Sequence, residues 1–184
     1  IDSVAEIIKN ASKLNKIVVV VSAMGGETNR LVDLAKEFGD DPDKREFDAL
    51  VSTGETVSSA LLTMALHSKG VKAKSFSASQ ISMRTTSSYS KAKILDVDAK
   101  KILDIVDSDT IPIITGFQGV TEGGDVTTLG RGGSDTTAVA IAAQIAAIRC
   151  DIYTDVDGIF TTDPGVVPNA KKLDSITMEE MLEL

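Results

Sequence analysis

The sequence predicts an α/β fold, a three-layer α/β/α sandwich around a mostly parallel sheet. Runs of β-branched and aliphatic residues alternate along the chain with longer segments of helical periodicity. Some of these runs, such as 17–21 and 111–115, are apolar at nearly every position, which is typical of strands covered on both faces. Polar loops that contain glycine follow predicted strands, as they do in open parallel sheets.

The elements of the N-terminal half follow from hydrophobic periodicity and from turn residues. Apolar side chains recur at helical spacing between 4 and 14, and the polar residues before them can cap a helix. The predicted order is a helix at 4–14 capped by Asp2 or Ser3, a strand at 17–21, a glycine loop at 22–29, a helix from about Arg30 to Phe38, and a long helical region that is interrupted near 52–55 and ends at Gly70.

The C-terminal half continues the alternation and adds a hairpin. Residues 122–125 read Glu-Gly-Gly-Asp between two β-prone segments, so 117–128 are predicted to form that hairpin. The other predicted elements are a strand at 71–76, a loop with a short hairpin at 77–90, a helix at 98–106, a strand at 111–115, a helix from Ser134 to about Ile148, a strand at 151–154, a long loop to Pro168, and a helix at 175–184.

Length and composition indicate one ordinary globular domain. The 184 residues are 42% hydrophobic and 25% charged, and the formal net charge of −8 argues against nucleic acid, which recruits basic patches. Cys150 is the only cysteine, which favours a cytoplasmic location and an inert, packed thiol. One histidine, His67, leaves little material for a zinc site or a Ser-His-Asp triad. No apolar run approaches the roughly 18–20 residues that span a bilayer, so no membrane partner is expected.

The most informative stretch is 130–137, which reads Gly-Arg-Gly-Gly-Ser-Asp-Thr-Thr before an alanine-rich helical run. Its adjacent glycines expose backbone N–H groups, and Ser134 can cap the helix. A helix N-terminus attracts anions, and an arginine beside it can bind a carboxylate or phosphate through two parallel hydrogen bonds. The alternative is a capped, glycine-rich turn that binds nothing.

A second polar stretch, 154–164, contains three aspartates and three threonines after a predicted strand. Its oxygen groups suit ribose, phosphate oxygens or the waters around Mg²⁺. Loop aspartates also close turns by bonding to the backbone, and this explanation is equally good for Asp163. The sequence has neither a Walker A pattern nor Gly-x-Gly-x-x-Gly after a strand, so any nucleotide would be bound in another way.

These two motifs, the 22–29 loop and the Ser-Thr-Gly-Glu sequence at 52–55 occur in the order and spacing of the aspartate kinase branch of the amino-acid kinase family. The chain resembles that family over nearly its whole length. The resemblance implies the amino-acid kinase (carbamate kinase-like) fold. It implies transfer of the ATP γ-phosphoryl group to the side-chain carboxylate of L-aspartate, which gives 4-phospho-L-aspartate, the first step toward lysine, threonine and methionine. L-Aspartate, ATP and Mg²⁺ are therefore the expected ligands.

The resemblance also implies roles for individual residues. Arg131 would bind a substrate carboxylate, and Asp135 would organise the catalytic centre by orienting the substrate or a positive partner. The other implied substrate contacts are Thr28, Gly132, Gly133, Ser134 and Glu55, of which the last would pair with the α-ammonium group. The implied nucleotide contacts are Thr154, Asp155 and Phe160, and no residue is implied as a metal ligand. For Glu55, a role limited to complementing the helix dipole is the alternative.

The residue types fit this reaction. An aspartate side chain has a reference pKa of about 3.9 and is ionised at neutral pH, so the nucleophile needs no general base. The barrier lies in bringing one anion onto another, and alignment with charge neutralisation is the main task of the protein.

Departures from the family pattern limit the expectation. A Lys-Phe-Gly-Gly-Thr-Ser strand, a later nucleotide-side lysine and the ACT regulatory domains do not occur in 1–184, and Gly165 and Phe160 stand where Arg and Tyr are common. We therefore expect an incomplete catalytic domain, with an amino-acid-binding lobe at about 1–128 and the start of a nucleotide-binding lobe at about 129–184. This chain alone is expected to be inactive, and the complete enzyme to be a homo-oligomer.

Two alternatives stay open. One is another enzyme of the amino-acid kinase family, which acts on glutamate, acetylglutamate, carbamate or UMP, although the motifs at 130–135 and 161–164 favour aspartate. The other is a non-catalytic ligand-binding fragment, which is consistent with the missing lysine.

Overall fold

The computed structural model describes residues 1–154, 158, 160–162 and 165–177, in two compact units, Ile1–Cys150 and Asp151–Leu184. The helices are α1 (Asp2–Ala11), α2 (Glu27–Lys36), α3 (Lys44–Val51), α4 (Thr53–Ser68), α5 (Ala99–Asp107) and α6 (Gly133–Gln144). The strands are β1 (Val19–Val21), β2 (Ala73–Phe76), β3 (Arg84–Thr85), β4 (Ile94–Asp96), β5 (Ile111–Thr115), β6 (Gln118–Val120) and β7 (Val126–Thr128). The division into lobes near residue 128 stays a prediction.

The first unit has the three layers that the sequence predicts. β5 lies in the centre of a parallel sheet between β1 and β2, and all of its residues are buried. Because successive side chains of a strand point to opposite faces, β5 contributes to two cores. Ile113 packs with Ile8 of α1 and Leu66 of α4, whereas Ile114 packs with side chains of α5 and α6. The α/β/α sandwich around a parallel sheet is therefore confirmed.

A second, four-stranded sheet in the order β4-β3-β6-β7 was not expected from the sequence. β6 and β7 form the antiparallel hairpin predicted for 117–128, which is thereby confirmed. β3 pairs antiparallel with β4 and parallel with β6. The short hairpin predicted within 77–90 is wrong in extent, because its second strand lies at Ile94–Asp96. Strands this short have almost no periodic signal, and their pairing is decided by contacts distant in sequence.

α1 spans Asp2–Ala11 with Ile1 at its N-cap, so the predicted range 4–14 and the predicted cap at Asp2 or Ser3 are wrong. Two further helix boundaries differ from the prediction because of left-handed residues. α2 begins at Glu27, since Gly26 (φ 80°) forms its N-cap. α6 ends at Gln144 rather than near Ile148. Ala146 there has a φ of 50°, and its N–H donates to the Ala143 carbonyl. Glycine usually occupies such a turn, so the end of a helix at an alanine cannot be predicted from the sequence.

α3 and α4 form a stretch, Lys44–Ser68, that is long and apolar enough to cross a membrane by length and composition alone. Its most apolar 18-residue segment is 50% buried inside the protein. Asp48 and Glu55 are among the buried residues of the two helices. We therefore interpret this stretch as core helices of the sandwich.

The second unit corrects two expectations. The strand predicted at 151–154 does not form; a short β pattern becomes a strand only beside a partner, and the described sheets do not include these residues. Instead, Phe160 and Lys172 form an isolated antiparallel bridge. Residues 175–177 are not helical, and the rest of the helix predicted at 175–184 lies outside the described residues. Cys150, at the end of the first unit, is a further correction: it was expected to pack but is exposed.

Candidate functional site

A cavity of about 250 Å³ opens where β1 and β5 end and where α2, α4 and α6 begin. This is the edge of a parallel sheet at which open α/β folds bind ligands. The cavity is smaller than the roughly 300–1,000 Å³ typical of sites for drug-sized molecules, so its size suits a small metabolite. Its lining consists of Ser22, Thr28, Glu55, Phe117, Gly130, Arg131, Gly132, Gly133, Ser134 and Asp135.

Two helices present uncapped N-termini to this cavity. α2 and α6 both start from a left-handed glycine, Gly26 (φ 80°) and Gly132 (φ 70°), and neither has a side-chain cap from the described residues. The expectation that Ser134 caps α6 is therefore wrong, because it lies inside the first turn. Uncapped N–H groups and the positive ends of two helix dipoles favour an anionic ligand group.

Close packing explains two glycines where α6 meets the turn after β5. A side chain at Gly133 would place its Cβ 2.6 Å from the Phe117 ring, and one at Gly116 would place it 2.7 Å from the Ser134 hydroxyl. The start of α6 therefore packs directly on the turn that follows β5. Phe117 adopts a left-handed conformation (φ 65°), which is uncommon for a non-glycine residue.

Glu55 lies in the first turn of α4 and is 2% exposed. Its Oε1 accepts a hydrogen bond of 3.1 Å from the Ala23 N–H, in the loop after β1. Gly54 permits this contact, since a Cβ there would lie 2.9 Å from the Ala23 Cβ. Oε2 is buried and has no partner among the residues that the structure describes. A buried carboxylate with one unused oxygen is costly unless a ligand completes it.

Burial raises the pKa of Glu55 from 4.5 to about 7, against the smaller lowering effect of hydrogen bonds from its own backbone and from Ala23. Removal from water disfavours the ionised form, and no cation pairs with this side chain in the described part of the protein. A ligand ammonium group would supply that cation and would favour the carboxylate.

Arg131 and Asp135 occupy the exposed side of the same cavity. Within the described ranges, no ion pair joins either residue to another side chain. The guanidinium group is thus available to a ligand carboxylate beside the N-terminus of α6. The cavity therefore combines donors for an anion with a buried acceptor for a cation.

The structure brings together the seven predicted substrate-side residues, and these line one cavity: Thr28, Glu55, Arg131, Gly132, Gly133, Ser134 and Asp135. Their individual roles stay predictions. Of the predicted nucleotide contacts, Thr154 and Phe160 belong to the second unit, and Asp155 lies outside the described residues. Ser22, Gly130 and Phe117 line the cavity although no role was predicted for them. The first two stand in motifs that the sequence singles out, whereas nothing in the sequence indicates the left-handed turn at Phe117.

No metal-binding group of three or more His, Cys, Asp or Glu side chains occurs in the ranges 1–154, 158, 160–162 and 165–177.

Comparisons with known proteins show the family and the fold of the chain. The model of the amino acid kinase family matches residues 1–184. An aspartate kinase of Pseudomonas putida KT2440 is 55% identical over 185 residues, covering 100% of this chain and 45% of that protein. E. coli aspartokinase III, solved with aspartate and ADP, superposes with a TM-score of 0.81 at 30% identity, covering 92% of this chain and 49% of that one. The aspartate kinase from Synechocystis superposes with a TM-score of 0.80 at 44% identity, covering 99% of this chain and 30% of that one. The chain thus spans about half the length of the curated relatives that it matches.

Proposed function

The chain belongs to the amino acid kinase family, and from this we propose that the protein that carries it is an aspartate kinase. It transfers the γ-phosphoryl group of ATP to the side-chain carboxylate of L-aspartate and forms 4-phospho-L-aspartate, the first step toward lysine, threonine and methionine. Relatives named as aspartate kinases, at 51–55% identity, support this acceptor over others in the family.

The observation that carries the proposal is the pairing of opposite binding groups in one small cavity. Within the part of the chain that the structure describes, Glu55 offers a buried carboxylate with an unpartnered oxygen, and Arg131 lies with two uncapped helix starts on the same lining. An α-amino acid is a zwitterion whose ammonium group suits the former and whose α-carboxylate suits the latter. Bound in this way, aspartate keeps its side-chain carboxylate free to attack.

The chemistry then depends on alignment rather than on proton removal. The attacking carboxylate is ionised at neutral pH, and the positive helix ends and Arg131 reduce the repulsion between it and the phosphate. Asp135 lies at the start of α6 and is proposed to orient the substrate or a cation. Thr154, Asp155 and Phe160 are proposed as contacts to ATP, which would enter as its Mg²⁺ complex. The aspartokinase III structure with aspartate and ADP supports this pair of ligands. A cytoplasmic location and a homo-oligomeric assembly stay predictions.

Acceptor specificity tests the proposal directly. The complete protein that contains this chain is assayed for ADP release with L-aspartate, L-glutamate, acetylglutamate, carbamate and UMP. We expect activity with L-aspartate alone. Activity confined to another acceptor would assign the protein to a different reaction of the family, and ADP release with none would contradict a kinase.

Arg131→Ala tests the assignment of the pocket. We expect the KM for L-aspartate to rise at least about tenfold, while the KM for ATP stays within about twofold, because the guanidinium group binds the acceptor. Arg84→Ala is the matched control, since Arg84 is exposed and paired with Asp96 away from the cavity lining. An effect on the KM for ATP alone would reverse the assignment.

A further inference from the structure

We propose that Asp48 is a positioning residue for the acceptor site, which fixes the segment that carries Arg131 through a buried set of hydrogen bonds. The inference rests on the proposed function because it takes Arg131 to bind the acceptor carboxylate. Asp48 itself does not line the cavity.

Asp48 lies in α3 and is 0% exposed. Both of its carboxylate oxygens accept hydrogen bonds from the Ser90 N–H, at 3.0 and 2.8 Å, and one accepts from the Ser90 hydroxyl at 3.1 Å. Thr128 donates its N–H at 2.8 Å and its hydroxyl at 2.9 Å. No cation pairs with Asp48 in the described part of the chain, so neutral donors alone offset the cost of burying this carboxylate.

The two partners of Asp48 lie on either side of the turn that leads to Arg131. Thr128 is the last residue of β7, and Gly130 follows with a φ of 83°. A Cβ at Gly130 would lie 3.3 Å from the Ser90 carbonyl oxygen, so Ser90 packs against this turn. The N–H of Gly133 then donates to the Gly130 carbonyl at 3.0 Å and joins the turn to α6. The position of Asp48 thereby determines where the segment that carries Arg131 begins.

Asp48 also relates this turn to Glu55. α3 runs directly into α4, and Ser52 is the residue that joins α3 to the helix that carries Glu55. The Gln118 side chain, from the strand next to β7, donates to the Ser52 carbonyl oxygen. One helix pair therefore holds the group proposed for the ammonium and, through Asp48, the segment proposed for the α-carboxylate. The separation between these two groups is what would select an α-amino acid.

Asp48→Asn in the complete protein tests this role, because the side chain keeps its shape while one acceptor becomes an NH₂ group that faces other donors. We expect the KM for L-aspartate to rise about tenfold or more and the KM for ATP to change by less than twofold. We also expect faster hydrogen exchange at amides 129–133 without ligand. Asp104→Asn is the control, since Asp104 is exposed on α5 and pairs only with Lys100 among the described residues; it should change neither measurement.

The two measurements separate the inference from the proposed function. If the wild-type protein does not use L-aspartate, the proposed function is wrong, but exchange at 129–133 still decides whether Asp48 positions this segment. If Asp48→Asn lowers the melting temperature and leaves both the KM for aspartate and the exchange at 129–133 unchanged, Asp48 only supports the fold and the inference is wrong. If that variant does not fold, Ser90→Ala removes one hydrogen bond and should raise the KM for aspartate about threefold, with the same exchange pattern; no change in either measurement overturns the inference.

Discussion

Replacing Glu55 by glutamine should change how the stability of the protein depends on pH. The native pKa of Glu55 is raised to about 7 from its ordinary value of 4.5. Between these two pH values the folded protein retains the proton that the unfolded chain has released. The free energy of unfolding therefore falls as the pH rises through this range. The contribution of Glu55 is complete below pH 4.5 and is lost once the pH has passed about 7.

The size of the effect follows from the two pKa values. Their difference corresponds to about 3 kcal/mol in the free energy of unfolding, as an upper value. Glutamine has the shape of the protonated acid and can still accept the hydrogen bond from the Ala23 N–H. The variant therefore keeps the contact but has no proton to lose, and it should become more stable than the wild type as the pH increases.

Urea-induced unfolding of the wild type and of Glu55→Gln, at several values from about pH 4.5 to pH 8.5, measures this difference. All other titrating groups are common to both proteins and cancel. The variant should gain about 2–3 kcal/mol relative to the wild type across the range. Parallel stability curves would refute the reasoning, because they would mean that Glu55 titrates normally in the folded protein.

The remaining predictions concern the same region and the second sheet. L-Aspartate should bind about tenfold more weakly at pH 6 than at pH 8, as calorimetry would show, because its ammonium group needs the ionised form of Glu55, whose pKa is about 7; a flat profile contradicts this pairing. Gly54→Ala should lower the free energy of unfolding by about 1–3 kcal/mol, since the added Cβ would lie 2.9 Å from that of Ala23, whereas Gly25→Ala, with nothing within 4 Å, should be nearly neutral. Thr85→Val or Thr127→Val alone should cost about 1–3 kcal/mol by breaking their buried 2.6 Å hydrogen bond, and the double variant should cost less than the sum of the two. If the losses in the free energy of unfolding measured in urea for the two single variants add up to that of the double variant, the two hydroxyls do not interact.

The sequence is informative where a local pattern has one physical solution. The apolar run at 111–115 could only be a strand covered on both faces, and it forms the buried centre of the parallel sheet. The turn at 122–125 fixed the hairpin of β6 and β7. The glycine motif at 130–137 and the Ser-Thr-Gly-Glu sequence at 52–55 identified candidate residues that line one cavity. In each case a few neighbouring residues restrict the backbone enough to be interpreted without the rest of the chain.

The tertiary structure decided the features that depend on contacts between distant segments. β3 and β4 are too short to be recognised alone; β3 pairs with β6, and β4 pairs with β3. Phe117 and Ala146 adopt left-handed conformations, which the sequence does not indicate because neither residue is a glycine. Asp48 reads as an ordinary helix residue, yet Ser90 and Thr128 surround it.

The sequence by itself therefore determined the α/β class, the family pattern and most residues of the candidate site. Only the tertiary structure showed that Glu55 is buried with one oxygen unpartnered among the described residues. It also showed that Asp48 connects the α3–α4 pair to the Arg131 segment. The reason is that backbone conformation is a local preference, which a short pattern can express. The charge state and exact surroundings of a carboxylate depend instead on which distant groups exclude water from it and which donate hydrogen bonds to it.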